Sequence, residues 1–346
     1  NGVDINDNLF GTANGLFIED AIEETQVLTS GISAEYGRFS GGVVNAVTKR
    51  GGNTFSGSFR TDLTNSAWTE ETPFEKEKSI TRPSELNKDF QATLGGPIVK
   101  DKLWFFTAGR RAVTSTARTL SNTGTPYTNK NTNTRFDGKL TWTVTANHTV
   151  TAGYISNKTL QDNQPSINPT FSIDLRTLIP RELPNDLFVA NYSGILSSNL
   201  FAELQYSQKK FGFRNAGGTS QDIKDSPFLS LGLAGIPASR HYNAPYFDAN
   251  DPEDRNNRQF AGSLSYFLST SNLGRHDIKV GAEHFTTTRT AGNSQTSTGY
   301  VFQTDPKVVG GQVQFDANNR IIPTFVPGVT RIQNWLPIIG ASIDIT

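Results

Sequence analysis

Apolar and polar residues alternate with a period of two over most of the chain after Thr54. The clearest example is residues 135–144, where Phe136, Leu140 and Trp142 alternate with charged residues and threonines. Successive side chains of a β-strand point to opposite faces, so this pattern predicts a strand with one apolar and one polar face. A second segment with the same alternation follows after a very short turn, which predicts a hairpin.

The same alternation recurs in three further pairs of segments. Their apolar stripes lie at residues 90–94 with 104–108, 188–196 with 200–206, and 260–268 with 278–282. We expect Gly95-Gly96-Pro97 to form the turn of the first pair. Together the segments predict an all-β fold with about nine or ten antiparallel strands.

The turns within hairpins are short, whereas the links between hairpins are long. The long links, each of roughly 20 to 40 residues, lie at residues 65–88, 113–134, 157–185, 215–255 and 290–330. Loops of this length are uncommon in compact domains. A regular alternation of tight turns and long loops is typical of outer-membrane β-barrels, in which the turns are periplasmic and the loops extracellular.

The alternating faces are compatible with two architectures. In a large barrel the charged faces would line a wet lumen, and Trp142, Tyr154, Tyr206 and Tyr266 would lie in aromatic girdles at the membrane boundaries. In a soluble β-sandwich, such as an adhesin or a carbohydrate-binding module, the polar faces would point to bulk water and the apolar faces would form a core between two sheets. The asymmetry of the links favours the barrel.

The charge balance and the residue content exclude several classes of protein. The chain has 346 residues, of which 32 are basic and 32 acidic, so we expect no nucleic-acid partner. It contains no cysteine, which excludes disulfides and thiolate metal sites. No run of apolar residues approaches the ~20 that a membrane helix needs, although barrel strands do not require such a run.

Catalytic and metal-binding patterns are weak in this sequence. The four histidines are scattered, and His276 and His284 would lie ~26 Å apart along one strand. An outer-membrane hydrolase would need an Asp/His or Ser/His cluster near the ends of its strands, and the sequence indicates none. We therefore expect a protein without catalytic activity, cofactor or metal site.

The N-terminal part of the chain is rich in glycine and contains an ordered series of motifs. These are Ile22-Glu23 with Val27, Ala34-Glu35-Tyr36-Gly37, and Gly41-Gly42-Val43-Val44-Asn45-Ala46-Val47-Thr48-Lys49. In order and spacing the series resembles the end of the plug domain of TonB-dependent outer-membrane receptors. The opening sequence Asn1-Gly2-Val3-Asp4-Ile5-Asn6-Asp7 resembles an earlier turn of such plugs, with Asn1 in place of the usual aspartate.

Two later motifs narrow the resemblance to the Oar-like branch of this family. They are Asn53-Thr54-Phe55-Ser56-Gly57-Ser58, at the entry to the first barrel strand, and the sequence from Leu94 to Phe106. The resemblance implies that residues 1–52 are the C-terminal part of a plug domain and that residues 53–346 are the N-terminal part of a transmembrane antiparallel β-barrel. Barrels of this family close with 22 strands, so nine or ten strands would form an open, curved sheet.

The ends of the chain predict a fragment of a longer protein. The chain begins with Asn1 rather than methionine, and residues 340–346 stop within an alternating pattern. A signal peptide and the first part of the plug would then lie upstream.

The resemblance also implies a function in transport. The intact receptor would lie in the outer membrane of a Gram-negative-type bacterium, surrounded by outer-membrane lipid. It would bind a scarce solute, such as a siderophore, an oligosaccharide or a peptide, at its extracellular loops. Its plug would then shift when TonB pulls on a segment that lies outside this chain.

Two sets of candidate functional residues follow from these expectations. The family motif implies a set that seats the plug: Glu23, Tyr36, Gly37, Gly41, Gly42, Asn45, Thr48 and Lys49. A second set in the link 215–255, made of Tyr242, Tyr246 and Phe247, is predicted either to touch the solute or to pack on itself. We also expect residues 43–48 to form a strand that is buried on both faces.

Overall fold

The computed structural model describes most of the chain. The described residues are 3–7, 12–13, 15–32, 42–78, 82, 84–120, 123–165, 175–214, 228–231, 239–242, 253–270, 274–293, 300–318, 320–324, 331–334 and 338–345.

Strands dominate the described residues. In chain order they are β1 (Asn6–Asp7), β2 (Thr12–Ala13), β3 (Ile22–Leu28), β4 (Val43–Thr48), β5 (Ser56–Thr64), β6 (Asn87–Val99), β7 (Leu103–Thr119), β8 (Pro126–Thr145), β9 (His148–Pro165), β10 (Leu178–Ser197), β11 (Leu200–Phe213), β12 (Phe228–Leu231), β13 (Ser239–Tyr242), β14 (Glu253–Thr270), β15 (Gly274–Asn293), β16 (Tyr300–Gln303), β17 (Asp305–Pro306), β18 (Val308–Val309), β19 (Gln312–Val313), β20 (Pro323–Thr324), β21 (Arg331–Asn334) and β22 (Ile338–Ile345).

Helical structure is limited to short elements. One α-helix, α1, spans Pro73–Lys78, and 3₁₀ turns lie at Glu19–Ala21, Ser66–Trp68 and Leu175–Thr177. Within the described part of the chain, no helix is both long enough and apolar enough to cross a membrane.

Ten strands form one antiparallel sheet. Their order is β5-β6-β7-β8-β9-β10-β11-β14-β15-β22, which is their order along the chain. The short strands β12 and β13, and β16 to β21, lie between these strands in sequence and do not belong to the sheet. Among the described residues this sheet is open, with β5 and β22 at its two edges. The all-β prediction and the predicted number of strands are confirmed. The β-sandwich alternative is wrong, because the ten strands form one continuous sheet rather than two sheets with a core between them.

The strands extend further than the alternation predicts. Most of the predicted link 113–134 is strand, because β7 continues to Thr119 and β8 already begins at Pro126. The predicted link 157–185 is shortened in the same way by β9 and β10. These stretches are rich in threonine and asparagine, so both faces are polar and the period of two disappears, although the backbones still pair.

Two further expectations about links and turns are corrected. The predicted turn Gly95-Gly96-Pro97 lies inside β6, and the reversal follows at residues 100–102, where Asp101 has a φ of 61°. The predicted links 215–255 and 290–330 contain the short strands β12, β13 and β16 to β20. We call the end of the sheet with reversals such as 100–102 the short-turn end, and the opposite end the long-link end.

One face of the sheet, the outer face, is apolar and exposed. Its large side chains include Leu140, which is 46% exposed, and Val280, which is 66% exposed. Aromatic residues at outward positions form an upper row near the long-link end, made of Phe136, Tyr154, Phe188, Tyr206 and Phe260. A lower row near the short-turn end contains Trp142, Tyr192 and Tyr266. The two rows are six residues or ~20 Å apart on β8 and β14, and four residues apart on β10; the larger spacing is close to the height of a membrane-spanning apolar band.

The opposite face, the inner face, carries most of the charged side chains of the sheet. One predicted apolar stripe also lies there: Trp104, Phe106 and Ala108 share the face of Lys139, which is the register partner of Phe106. Phe106 and Ala108 are buried because they pack against Ile18 and Ala21 of the N-terminal segment, residues 3–50. Unlike the other predicted apolar stripes, this one therefore faces the N-terminal segment.

The outer face predicts a depth-dependent response to charge. Leu140→Arg places a guanidinium between the two aromatic rows and should destabilise the protein by ~2–4 kcal/mol, whereas Val144→Arg, beyond Trp142 on the same strand, should cost only ~0–1 kcal/mol. Urea unfolding of the intact protein in lipid vesicles measures both values. Equal losses for the two variants would contradict a lipid contact at this face.

Candidate functional site at the contact between the N-terminal segment and the sheet

Two apolar clusters hold the N-terminal segment on the inner face. The first joins Ile18 and Ala21 to Phe106 and Ala108 on β7. The second contains Leu16, Ile155 and Leu187, with Val3, Ile5, Phe17 and Val189 packed around it. Leu16, Ile18 and Ala21 are fully buried, so this contact excludes water from the middle of the segment.

Polar side chains of the sheet bind the backbone of the same segment. Arg135 donates to the carbonyl of Phe17 at 2.6 Å, Asn157 to that of Gly15 at 2.8 Å, Lys139 to that of Thr48 at 2.7 Å, and both Lys209 and Asn257 to that of Asn6 at 3.1 and 3.0 Å. Since every residue has a carbonyl, these contacts position the chain without requiring particular side chains on the segment. They explain why the sheet carries cations and amides at mid-strand.

An ion network joins Asp7 of the segment to the upper part of the sheet. Arg255 lies 2.6 Å from Asp7 and 2.5 Å from Glu253, and Arg289 lies 3.1 Å from the same Glu253 oxygen. The Arg255 guanidinium also stacks over the ring of Phe213 at 4.8 Å. Asp7 and Glu253 are 4% and 5% exposed, so the two arginines compensate two carboxylates that are almost removed from water.

The first apolar cluster has buried polar neighbours whose hydrogen bonds are incomplete. Gln91 and Asp137 are 2% and 1% exposed. Within the described residues, both polar atoms of the Gln91 amide and one carboxylate oxygen of Asp137 have no hydrogen-bond partner. An unsatisfied buried polar atom costs about 1–3 kcal/mol. This part of the contact is therefore less stable than its apolar packing alone would make it.

Two residues of the predicted plug-seating set, Thr48 and Lys49, lie at or next to this contact. Thr48 is buried, and its carbonyl accepts the bond from Lys139. Lys49 is exposed and holds the end of β4 against the 3₁₀ turn Glu19–Ala21. Its backbone N–H donates to the backbone carbonyl of Ala21 at 2.7 Å, and its ammonium donates to the backbone carbonyl of Asp20 at 2.8 Å. Sequence reasoning did not find the residues of the sheet that meet them, since residues such as Lys139 look like ordinary polar positions of a strand.

The remaining residues of this set are more dispersed. Glu23 is exposed at the irregularity between Ile22 and Glu24, and Asn45 is half-buried. A Cβ atom at Gly42 would lie 2.9 Å from the carbonyl oxygen of Leu28, so only glycine allows this approach. Tyr36, Gly37 and Gly41 lie outside the described residues.

The expectation that β4 is buried on both faces is wrong. Among the described residues β4 pairs with β3 alone, in a separate two-stranded sheet. Val44 is 69% exposed and Val27, its register partner, 64%. The end of this hairpin that carries Val27 and Val44 is thus open to solvent, while Thr48, at the other end of β4, is buried and accepts the bond from Lys139.

The predicted solute-contacting set is only partly described. Tyr242 ends β13, where its backbone pairs with those of Phe228 and Phe302. Tyr246 and Phe247 lie outside the described residues.

The link between β5 and β6 presents two aromatic side chains that sequence reasoning missed. Trp68 is 64% exposed and Phe74 61%. Both lie at the long-link end, on a segment that contains a 3₁₀ turn and α1. A tryptophan and a phenylalanine within a loop of the predicted barrel were the signal that could have indicated them.

Side-chain bonds hold that link in a defined shape. Thr72 and Glu75 form a reciprocal cap of α1, in which the Glu75 carboxylate accepts from the Thr72 N–H at 2.8 Å. Arg82 donates to Glu75 and to the carbonyls of Ser66, Thr69 and Glu70. The Arg82 guanidinium lowers the pKa of Glu75 from 4.5 to about 2, so the pair stays ionised through the physiological pH range.

The described residues contain no group of three or more histidine, aspartate and glutamate side chains placed to hold a metal ion. The candidate site is therefore a contact surface built from apolar packing, backbone hydrogen bonds and ion pairs.

The continuous antiparallel sheet with its apolar outer face has the fold of an outer-membrane β-barrel domain, and comparisons with the sequences and structures of known proteins agree. Residues 47–128 match the family model described as outer membrane beta barrel domain. The chain is 44% identical over 110 residues to the TonB-dependent transporter Oar of Myxococcus xanthus, which covers 30% of this chain and 10% of Oar. The outer membrane transporter YddB from Escherichia coli has a similar structure, with a TM-score of 0.58 and 17% identity over 96% of this chain and 41% of YddB.

These similarities confirm three predictions. The fold is that of a TonB-dependent transporter barrel, the resemblance to the Oar-like branch holds at the level of sequence, and the location is the outer membrane of Gram-negative bacteria. The chain spans about a tenth of the length of Oar in that match, so the activity of the whole protein is a separate question.

The ion network predicts a large effect of one arginine on the seating of the segment. Arg255→Met removes the guanidinium between two buried carboxylates and should destabilise the docked segment by about 3–5 kcal/mol. Hydrogen–deuterium exchange of residues 3–7 in the intact protein should become faster by more than a hundredfold. The exposed Arg118→Met on β7 is the control. Combining Asp7→Asn with Arg255→Met should recover part of the loss, and a larger loss in the double variant would contradict the pairing.

Two adjacent glycines at the entry to the sheet provide a matched test of close packing. A Cβ at Gly51 would lie 2.2 Å from the carbonyl oxygen of Phe105, whereas a Cβ at Gly52 would have no atom within 4 Å. Gly51→Ala should force a backbone shift and reduce the amount of folded protein in outer-membrane fractions several-fold. Gly52→Ala should change stability by less than ~0.5 kcal/mol. Similar yields of the two variants would show that the close contact between Gly51 and the Phe105 carbonyl is not required for folding.

Proposed function

We propose that the whole protein is a TonB-dependent outer-membrane transporter and that residues 1–52 are the C-terminal part of its plug, seated on the wall formed by residues 53–346. The observation that carries the proposal is the set of wall side chains that bind backbone carbonyls of the N-terminal segment. The similarity to the transporter Oar supports it. The proposal assigns transport and no catalytic step to the protein.

The mixed character of the contact supports a plug that moves. Backbone hydrogen bonds can be exchanged for bonds to water at a small net cost, about 0.5–1.5 kcal/mol each. The unsatisfied atoms of Gln91 and Asp137 would gain hydrogen bonds when water enters. The ion network at Asp7 opposes separation more strongly, so it would set the force that TonB has to supply through a segment outside this chain.

The solute is proposed to be a scarce molecule such as a siderophore, an oligosaccharide or a peptide. Its binding surface would lie at the long-link end, where Trp68 and Phe74 are exposed and where β13 carries Tyr242. Tyr246 and Phe247 complete the predicted solute-contacting set. Exposed aromatic rings suit this role because they add a large contact area with few rotatable bonds.

A growth experiment tests the transport proposal. A strain that lacks the gene should lose growth on at least one limiting source of iron or carbon from a panel of siderophores, oligosaccharides and peptides. A strain that lacks TonB should show the same loss on the same source, because uptake across the outer membrane would need the energised inner-membrane partner. Normal growth of the deletion strain on every source, or growth that does not depend on TonB, would contradict the proposal.

The same assay examines the solute-contacting residues. Joint replacement of Tyr242, Tyr246 and Phe247 by alanine should reduce uptake at least tenfold while the amount of protein in the membrane stays constant. Joint replacement of the exposed, apolar Val308 and Val309 by alanine is the control. Unchanged uptake in the aromatic variant would remove these residues from the binding surface and leave the transport proposal intact.

A further inference from the structure

Among the described residues, the basic side chains of the outer face begin directly beyond the upper aromatic row, and Lys130 and Arg214 lie further out on the same face. Lysine and arginine occupy outward positions just beyond the upper aromatic row, on the side of the long-link end: Lys88, Arg111, Lys158, Lys210 and Arg258. From that row to the lower row, the outward positions of β5 to β11, β14 and β15 carry no charged residue among the described ones. We call these five residues the outer basic belt.

The belt spans neighbouring strands at close spacing. Arg111 and Lys158 are both register neighbours of Thr134, so they lie on the same row two strands apart, at ~10 Å. Lys210 lies two residues from Gln208, the register partner of Arg258, which makes these two cations diagonal neighbours at about 7–8 Å. Each pair is close enough to bind a single headgroup that carries more than one phosphate.

The charge of the belt is only partly compensated by the protein. Lys158 pairs with Glu182 at 2.5 Å, and Asp186 accepts a hydrogen bond from Tyr154 at 2.9 Å. Lys88, Arg111, Lys210 and Arg258 are exposed and form no ion pair with any described residue. The outer face thus has a net positive zone directly beyond its aromatic row.

We infer that the outer basic belt binds the phosphate groups of lipopolysaccharide, the phosphorylated glycolipid of the outer leaflet. The upper aromatic row marks the boundary between hydrocarbon and headgroups, so the belt lies at headgroup level. Long basic side chains reach this level while their stems cover apolar surface. Arginine binds phosphate through two parallel hydrogen bonds. The short-turn end has no such belt at its outward strand positions among the described residues, which matches the chemical difference between the two leaflets.

Binding of purified lipids to the detergent-solubilised intact protein tests this assignment. The variant combines Arg111→Gln, Lys210→Gln and Arg258→Gln. The control combines Lys100→Gln, Lys102→Gln and Arg275→Gln, which remove the same charge at the short-turn end. Wild type and control should bind lipopolysaccharide equally, and the belt variant should bind about a hundredfold more weakly. Dephosphorylated lipopolysaccharide should bind wild type as weakly as the belt variant binds the intact glycolipid.

The outcomes distinguish lipid binding by the outer basic belt from a general effect of positive charge and from the proposed transport function. Equal weakening in both triple variants, or equal binding of the dephosphorylated lipid, would overturn the inference. Equal competition by phosphatidylglycerol would overturn the assignment to the glycolipid. Thermal unfolding in detergent alone shows whether the belt variant is folded. Because this assay contains neither solute nor TonB, its result does not depend on the proposed transport function.

Discussion

The structure depends on one constraint: a backbone that crosses hydrocarbon can satisfy its N–H and C=O groups only within the protein. The ten-stranded sheet meets this requirement through continuous pairing from β5 to β22. Pairing makes the two faces available for different surroundings, because successive side chains point in opposite directions. The outer face is apolar between its aromatic rows, and the inner face is polar. The contact with the N-terminal segment and the position of the basic belt both follow from this division.

The inner face also binds the N-terminal segment, which has little regular structure of its own. Described strands in the first 50 residues form only two-stranded sheets, so many backbone groups need partners elsewhere. Arg135, Lys139 and Lys209 supply donors to carbonyls, and the apolar clusters around Leu16 and Ile18 remove water between them. Fully buried apolar packing, exchangeable hydrogen bonds and incompletely satisfied groups lie side by side. That combination suits a contact that is specific and can be separated.

The long-link end combines structure with exposed surface. The link between β5 and β6 is shaped by Arg82 and the cap of α1, although its length alone predicted an irregular loop. Strands β7 to β10 extend well beyond the upper aromatic row, so the outward positions there stand in the headgroup region and beyond it. Binding to a solute and binding to lipid would therefore use different faces of the same end of the sheet.

The sequence by itself determined the strands, their apolar faces and the family resemblance, because the period of two and the glycine motifs are local properties of the chain. Only the tertiary structure decided which polar residues meet the segment. Arg255 and Asp7 are 248 positions apart, and no local pattern marks either as a partner of the other. The inward direction of Phe106 and the strand pairing of residues 113–134 were also hidden, since both depend on what lies across from them. Contacts between distant parts of the chain form only when the chain folds, so a pattern of neighbouring residues does not reveal them.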